Sequence, residues 1–458
     1  MSRSPYPPLS TFAATLAALL LSAASGLPAG ARTPTAPLTS PIPDPSPGLP
    51  AGAADVSATL LPILARHKVP ALAVAVIRDG KVIAAGASGT RRRAGPEAVT
   101  LNDQWHLGSC TKSMTATLCA RLVERGILRW DQTLAETFPE HADKMNPAFR
   151  AVTLEQLLTH RGGVPGDLRF DGLWNRLWRF EGTSTEARTL MLSTVTRREP
   201  KPRPGEFEYS NGGVSLAGLM AERATGKPWE ELIAAEVFAP LGITSAGFGA
   251  PGTTETIDQP RGHIGKGGPM EPGPSADNPA AIGPAGRVHM TITDWAKYIA
   301  AHLEGEALGR EAGTPQPAPP EAKPCTMIFR GMVLISNSCG PMLYESIGPA
   351  LLAKASWKKL HAPAPKLAEK DAEYAMGWSV TERPWATRQD SPTAAAAVAP
   401  TSQRVLTHNG SNTMWYCVAW LAPDADFGVI VCCNQASEAG PAACDETAAA
   451  MIRAFRPK

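Results

Sequence analysis

Two apolar runs, Ala71–Arg78 (ALAVAVIR) and Lys81–Ala85 (KVIAA), flank an Asp79-Gly80 turn signal and predict a β-hairpin. Toward the other end of the chain, Arg404–His408, Met414–Leu421 and Phe427–Cys433 read as three more strands, separated by Asn409-Gly410 and Pro423-Asp424. Between these ends the period changes. Met114, Leu118, Leu122, Val123 and Ile127 recur at three- and four-residue steps, which predicts a buried helix running from Ser109 to Leu128. Thr153–His160 reads as a short helix capped by Thr153 and stopped by Arg161-Gly162-Gly163. Val214–Ala224 and Trp229–Phe238 read as two more, parted by Gly226 and Pro228, and a last helix is expected over Glu446–Phe455. Terminal strands that enclose a helical middle predict an α+β fold: one antiparallel sheet flanked by helices, built from both chain ends, with a mostly helical lobe inserted. The sheet lobe is expected over about residues 55–130 and 350–458 and the helical lobe over about 131–305. No internal repeat interrupts this scheme.

Two segments fit neither period. Residues 311–324 (EAGTPQPAPPEAKP) are rich in Pro, Ala and Glu, and predict a flexible insertion that continues to about residue 348. At the start of the chain, Arg3, the apolar run Thr11–Ala23 and the small residues Ala29, Gly30 and Ala31 read as a signal peptide over residues 1–31. The run falls short of the ~20 apolar residues of a spanning helix, so membrane association is expected only if this segment is retained. Residues 32–54 are proline-rich and read as an extended linker to the domain at 55–458. An exported, periplasmic or extracellular protein follows as the expectation.

A formal net charge of +2 on 458 residues, with Lys and Arg scattered, offers no basic stripe for nucleic acid. The expected partner is a small-molecule or peptide substrate. Eight cysteines at 110, 119, 325, 339, 417, 432, 433 and 444 form no paired CxxC, and the nine histidines form no HExxH, so neither a metal nor a cofactor is called for. Cys325 and Cys339 bracket a stretch inside the insertion, where a disulfide would contribute ~3 kcal/mol. The other six read as unpaired buried thiols.

Three short motifs carry the chemistry. Ser109-Cys110-Thr111-Lys112 is an SxxK at the start of the long helix, where helical spacing puts amine and hydroxyl on one face. The unpaired N–H groups of a helix start also favour developing negative charge there. A second SxxK, Ser356-Trp357-Lys358-Lys359, lacks companions downstream and reads as a surface helix segment. Tyr209-Ser210-Asn211 lies on a loop before a helix, between Arg203-Pro204-Gly205 and Gly212-Gly213; a phenol beside an ammonium is a candidate general base and acid. His408-Asn409-Gly410-Ser411 closes a predicted strand, where Gly410 lets substrate backbone approach and the N–H of Ser411 could join that of Ser109 in an oxyanion hole. Other basic-x-Gly segments at His160, His263 and Lys266 lack that strand context.

SxxK on a buried helix, YxN about a hundred residues on, and basic-x-Gly on a late strand together resemble the serine beta-lactamase and DD-peptidase superfamily. The Tyr-x-Asn form is most similar to the branch of class C beta-lactamases, DD-carboxypeptidases and esterases of the same fold. Residues 157–165 (LLTHRGGVP), 204–213 (PGEFEYSNGG), 283–286 (GPAG) and 374–378 (YAMGW) also look like segments of that family. The resemblance implies that Ser109 is the nucleophile, Lys112 its activator, Tyr209 the acid and base, and Asn211 a hydrogen-bond donor to substrate. His408 would take the place of the usual lysine. Two departures stand out: His-Asn-Gly in place of Lys-Thr-Gly, and Asn412-Thr413-Met414 in place of a glycine-rich continuation. The substrate stays open among beta-lactam, D-alanyl peptide and carboxylic ester. A non-catalytic binding module would be expected to lose Ser109 or Lys112. His408 has two readings at this stage. An unperturbed ring titrating near ~6.5 would attract a substrate carboxylate less as pH rises, whereas a neutral ring would only hydrogen-bond Tyr209.

Overall fold

The computed structural model describes residues 48–457 apart from 266, 310, 312–324, 330–331, 337–347, 370 and 387–402. The expected signal peptide, most of the linker, and Cys339 with its expected bond to Cys325 lie outside the described residues. No described helix is long and apolar enough to cross a membrane.

The valine-rich run at Ala71–Arg78 has no polar alternation because both of its faces are buried. Successive side chains point to opposite faces of a strand. Ala71, Ala73, Ala75 and Ile77 therefore enter one hydrophobic cluster, and Leu72, Val74 and Val76 the other. Full burial of each of the larger residues stabilises the fold by about 1.5–3 kcal/mol. Seven strands line up in the order Ala54–Asp55, Lys81–Gly89, Ala71–Arg78, Phe427–Cys433, Tyr416–Ala422, Arg404–Ser411, Ser379–Glu382. The short first strand pairs parallel; every other neighbour is antiparallel. The two ends of the chain meet at the centre, where Leu72 stands opposite Cys433 and Arg78 opposite Phe427. The α+β fold read from the sequence is the fold observed.

Helices cover each face. Ser57–His67 and Ala439–Phe455 lie on the face formed by Leu72, Val74 and Val76. Ile292–Leu308 lies across the alanine-lined face, where Gly428 has no side chain to keep Ile299 and Leu303 away. Beyond it, the helix Thr111–Glu124 packs among Asn211–Thr225, Trp229–Ile233 and the turn Gly283–Gly286. Its residues from Thr111 to Leu122 are all buried, as expected of a helix enclosed on every side.

Several bounds shift from the sequence reading. The long helix begins with a 3-10 turn at Gly108–Cys110 and ends at Glu124, and the last helix starts at Ala439. Among the described residues, three helices of more than ten residues escaped the reading, Ser57–His67, Ser184–Thr196 and Ile292–Leu308, as did shorter ones such as Leu173–Trp178. The second of the three had a signal in its capping box, in which Thr183 and Glu186 bond each other's backbone N–H; its Thr and Arg content masked the apolar period. The insertion, read as flexible, holds an antiparallel pair at Cys325–Phe329 and Met332–Ser336. Both are short apolar runs, CTMIF and MVLIS, overshadowed by the Pro-rich stretch before them. Cys110, Cys119, Cys417, Cys432, Cys433 and Cys444 are free thiols, as expected.

The strand Arg404–Ser411 runs hard against the turn that carries Ser109. A Cβ on Gly410 would sit 1.9 Å from the carbonyl oxygen of Leu107 and 2.9 Å from Cys417 Sγ. Gly410→Ala is therefore expected to lose about 1–3 kcal/mol of stability by forcing strand and turn apart. Gly268→Ala, which meets nothing within 4 Å, serves as the control. Thermal unfolding of the two variants side by side checks this; equal melting temperatures would remove the proposed close contact.

Candidate active site

Between Trp105 and Leu122 every residue is buried except Ser109, which is partly exposed. The cause is local. The strand Gln104–His106 ends, Gly108 takes a left-handed conformation (φ 47°), and the Cys110 N–H closes a turn on the Leu107 carbonyl at 3.1 Å. The chain so turned lifts one side chain out of the core at the start of the helix. Lys112, one turn on, points back under it.

Lys112 is 1 % exposed, and its amine lies among polar groups of three segments. It makes hydrogen bonds to Ser109 Oγ at 2.9 Å, Asn211 Oδ1 at 2.7 Å and the Ala285 carbonyl at 2.8 Å. All three partners are neutral. Burial without a counter-charge lowers its pKa to about 7 from the ordinary 10.5, against a small opposing influence of Cys110. Asn211 opens the helix Asn211–Thr225, where the Ser210 hydroxyl caps the Gly213 N–H at 3.1 Å. Its carbonyl faces Lys112, which leaves the NH2 as its donor end. The Gly283–Gly286 turn earns its place here by presenting the Ala285 carbonyl.

Tyr209 stands at the mouth with 36 % of its surface exposed. Its hydroxyl lies near Ser109, and Lys112 Nζ lies 4.8 Å from the ring centroid. Its pKa nonetheless moves up rather than down. Desolvation outweighs the opposing influence of Ser109, so the phenol is protonated at neutral pH.

Behind Tyr209 lies a group that the sequence reading passed over. His160 is buried in a left-handed conformation (φ 60°), and its Nδ1 accepts the Ser210 N–H at 3.1 Å. Its ring sits 4.4 Å from that of Tyr209 and 4.6 Å from that of Tyr374. Its carbonyl accepts the Glu208 N–H at 2.9 Å, so His160 fixes the YxN loop on both sides of Tyr209. Desolvation holds its pKa well below the usual value. A signal existed in the segment LLTHRGGVP, but a lone histidine in a basic-x-Gly context gave no reason to place it here. Tyr374 was equally illegible. It donates to His408 Nε2 at 3.0 Å from a segment 34 residues away.

His408 departs from one of its two readings and modifies the other. It is buried, its Nδ1 donates to the Asn409 carbonyl at 2.5 Å, and its pKa falls to about 3 through desolvation, with Lys112 a lesser cause. The ring is therefore neutral across the physiological range, and its hydroxyl partner is Tyr374 rather than Tyr209. The Tyr209 ring is 6.1 Å away, centroid to centroid. Ser411 ends the same strand, and a Cβ on Gly108 would meet its nitrogen at 2.3 Å, so the Ser411 amide lies against the turn bearing Ser109. Ser109, Lys112, Tyr209, Asn211, His408, Gly410 and Ser411 thus share one site. The second SxxK stays apart: its Lys359 pairs with Glu155 at 2.5 Å.

Comparison with known proteins fits this geometry. The penicillin-binding protein 4 of Amycolatopsis lactamdurans is 31 % identical over 240 residues, which cover 52 % of this chain and 60 % of the relative. The chain thus spans less than two thirds of that relative's length. Two solved structures share the fold. A beta-lactamase from Sulfitobacter sp. EE-36 superposes with a TM-score of 0.60 at 19 % identity, over 87 % of this chain and 96 % of the other. A D-alanine carboxypeptidase from Burkholderia cenocepacia gives 0.59 at 18 % identity, over 87 % and 97 %. The beta-lactamase family model matches residues 56–453, and the chain accordingly belongs to the beta-lactamase family of serine hydrolases and penicillin-binding proteins.

Proposed function

We propose that the protein is a hydrolase that works through an acyl-enzyme at Ser109, acting on the carbonyl of a beta-lactam, D-alanyl peptide or related amide or ester. The observation that carries this reading is the buried Lys112 amine, 2.9 Å from Ser109 Oγ and held near neutrality. In its unprotonated fraction Lys112 takes the Ser109 proton as Oγ attacks. The oxyanion is received by the backbone N–H groups of Ser109 and Ser411. Tyr209, protonated at neutral pH, gives its proton to the leaving nitrogen or oxygen and regains one from Lys112. Asn211 presents its NH2 to the substrate, and water then releases the acid and frees Oγ. The names of a penicillin-binding protein, a beta-lactamase and a D-alanine carboxypeptidase among the similar proteins favour the first two substrate classes. A second reading, carboxylesterase, is favoured by the neutral His408: a substrate carboxylate would meet no cation at that position.

A screen of the purified protein against a chromogenic cephalosporin, a D-Ala-D-Ala peptide and a short-chain nitrophenyl ester separates these classes. Ser109→Ala is expected to abolish turnover, with a mechanism-based serine reagent found on Ser109 and not Ser356 by peptide mass spectrometry. Tyr209→Phe is expected to lower kcat by ~10²-fold or more with little change in stability. An adduct on Ser356 would sink the mechanism.

The pH dependence follows from the two shifted groups. A base with its pKa lowered to about 7 is inactive when protonated, so kcat/KM should climb with pH through about 7 and level off above it. His408, with its pKa at about 3, should add no inflection to the KM of a carboxylate-bearing substrate between about pH 5 and 9. A KM inflection near ~6.5 that disappears in His408→Gln would show the ring to be charged in the working enzyme.

A further inference from the structure

On the reading of Ser109 as the acylated residue, we infer that Asp277 is a positioning residue that ties together the two backbone arms of the oxyanion site, acting through His106 on one arm and Asn412 on the other. The carboxylate is buried, just past the 3-10 turn Pro274–Ala276. One oxygen, Oδ1, accepts from His106 Nε2 at 2.9 Å and from Asn412 Nδ2 at 3.3 Å; the other, Oδ2, accepts from Arg287 Nε at 2.7 Å.

Each partner reaches one arm. His106 is fully buried and its Nδ1 accepts the Gly108 N–H at 3.1 Å, so the ring proton lies on Nε2, facing Asp277. That bond fixes Gly108 in its left-handed conformation, and Gly108 carries the peptide unit whose nitrogen is the Ser109 N–H. On the other arm, Asn412 Oδ1 accepts the N–H groups of Met414 and Trp415, both at 3.2 Å, and Nδ2 also bonds the Ala276 carbonyl at 3.1 Å. This clamps the turn immediately after Ser411. Trp415 in turn stacks on His106, with ring centroids 5.7 Å apart. The Asn412-Thr413-Met414 sequence, a departure from the glycine-rich continuation, therefore has a physical use. The His106 N–H and the Arg287 guanidinium both bond the carboxylate, Arg287 as its counter-charge, and together they hold the Asp277 pKa below the usual carboxylate range despite burial. A fixed charge at a shared oxygen gives both arms one reference point. Donors aimed at developing charge lose effect steeply when misplaced.

The test uses the full protein and its best substrate from the screen, with kcat, KM and inhibition by phenylboronic acid, whose tetrahedral adduct on Ser109 probes the oxyanion site. His106→Gln keeps a donor toward Asp277 but offers nothing at the Nδ1 position to Gly108. His106→Asn can accept the Gly108 N–H through Oδ1, as in an Asx turn. Asp277→Ala and His106→Gln are expected to lower kcat by about tenfold to a hundredfold, with KM changed by no more than about twofold. Boronate inhibition should weaken by the same factor as kcat/KM, and His106→Asn, which regains the Gly108 bond but not the bond to Asp277, should recover only part of the lost kcat. Wild-type kcat per active site in the folded fraction of Asp277→Ala would overturn the inference, as would equal kcat in the two His106 variants. If Asp277→Ala does not fold, Asp277→Asn, which keeps the shape of the side chain and loses its charge, takes its place, and wild-type kcat in it overturns the inference. Ser109→Ala keeps the outcomes apart: residual turnover there refutes the acyl-enzyme, whereas a dead Ser109→Ala beside fully active His106→Gln refutes the positioning role alone.

Discussion

The interaction on which the site depends is a lysine amine buried with neutral acceptors only. Among the described residues no carboxylate pairs with Lys112; a serine hydroxyl, an asparagine carbonyl and a backbone carbonyl surround it. The environment disfavours its charge by on the order of 5 kcal/mol, the equivalent of lowering its pKa from 10.5 to about 7. That cost is sustained by packing elsewhere. Thr115, on the Lys112 helix, donates to the Pro284 carbonyl at 2.6 Å and accepts from Trp229 Nε1 at 3.1 Å. Gly218 makes room for Pro284 against the helix that starts at Asn211, since a Cβ there would lie 2.5 Å from the proline ring. Three separate segments are thereby held around one nitrogen that would otherwise draw in water and recover its ordinary basicity.

The same burial explains which parts of the site were legible in the sequence. Ser109 and Lys112 were readable because a helix sets their relation locally, and Tyr209 and Asn211 because the loop before a capped helix does the same. The sheet was readable because strands buried on both faces are apolar throughout, which left little doubt at Ala71–Arg78 or Phe427–Cys433. The charge states were not readable. Tyr209 next to a lysine suggested a lowered pKa, but desolvation acts on the phenol more strongly than its neighbours do. His408 suggested a titrating cation, but its neutrality comes from burial and from Tyr374, which arrives from a distant part of the chain. His160 was unreadable for the same reason: its partners are the Ser210 amide and two tyrosine rings, none of them near it in sequence.

These shifts share a direction. Burial drives His160 and His408 toward the neutral imidazole and Tyr209 and Tyr374 toward the neutral phenol. The phenols, neutral already at their ordinary pKa, stay so, and the neutral imidazoles spare Lys112 a neighbouring cation that would depress it further. The shell thus leaves Lys112 as the group whose protonation changes near neutral pH. Its tautomers are also fixed: His160 accepts at Nδ1, whereas His408 donates at Nδ1 and accepts at Nε2. A shell of neutral, oriented dipoles can stabilise charge that appears only during reaction without first binding a charge of its own.

Charge does occur nearby, but it is kept one layer back and compensated. Asp277 is ionised and buried, yet both of its oxygens are occupied and Arg287 balances it. Its contacts reach the turn of Ser109 only through His106 and Asn412, whose bonds fix backbone amides on either side. The glycines follow from this arrangement. Gly108 supplies the left-handed turn, and Gly410 lets the strand press against Leu107 so that the Ser411 amide lies against the turn that carries Ser109. A side chain at either position would part the two amides. In the proposed mechanism the oxyanion would then lose its pair of donors, and the orientation held through the buried carboxylate would have nothing to act on.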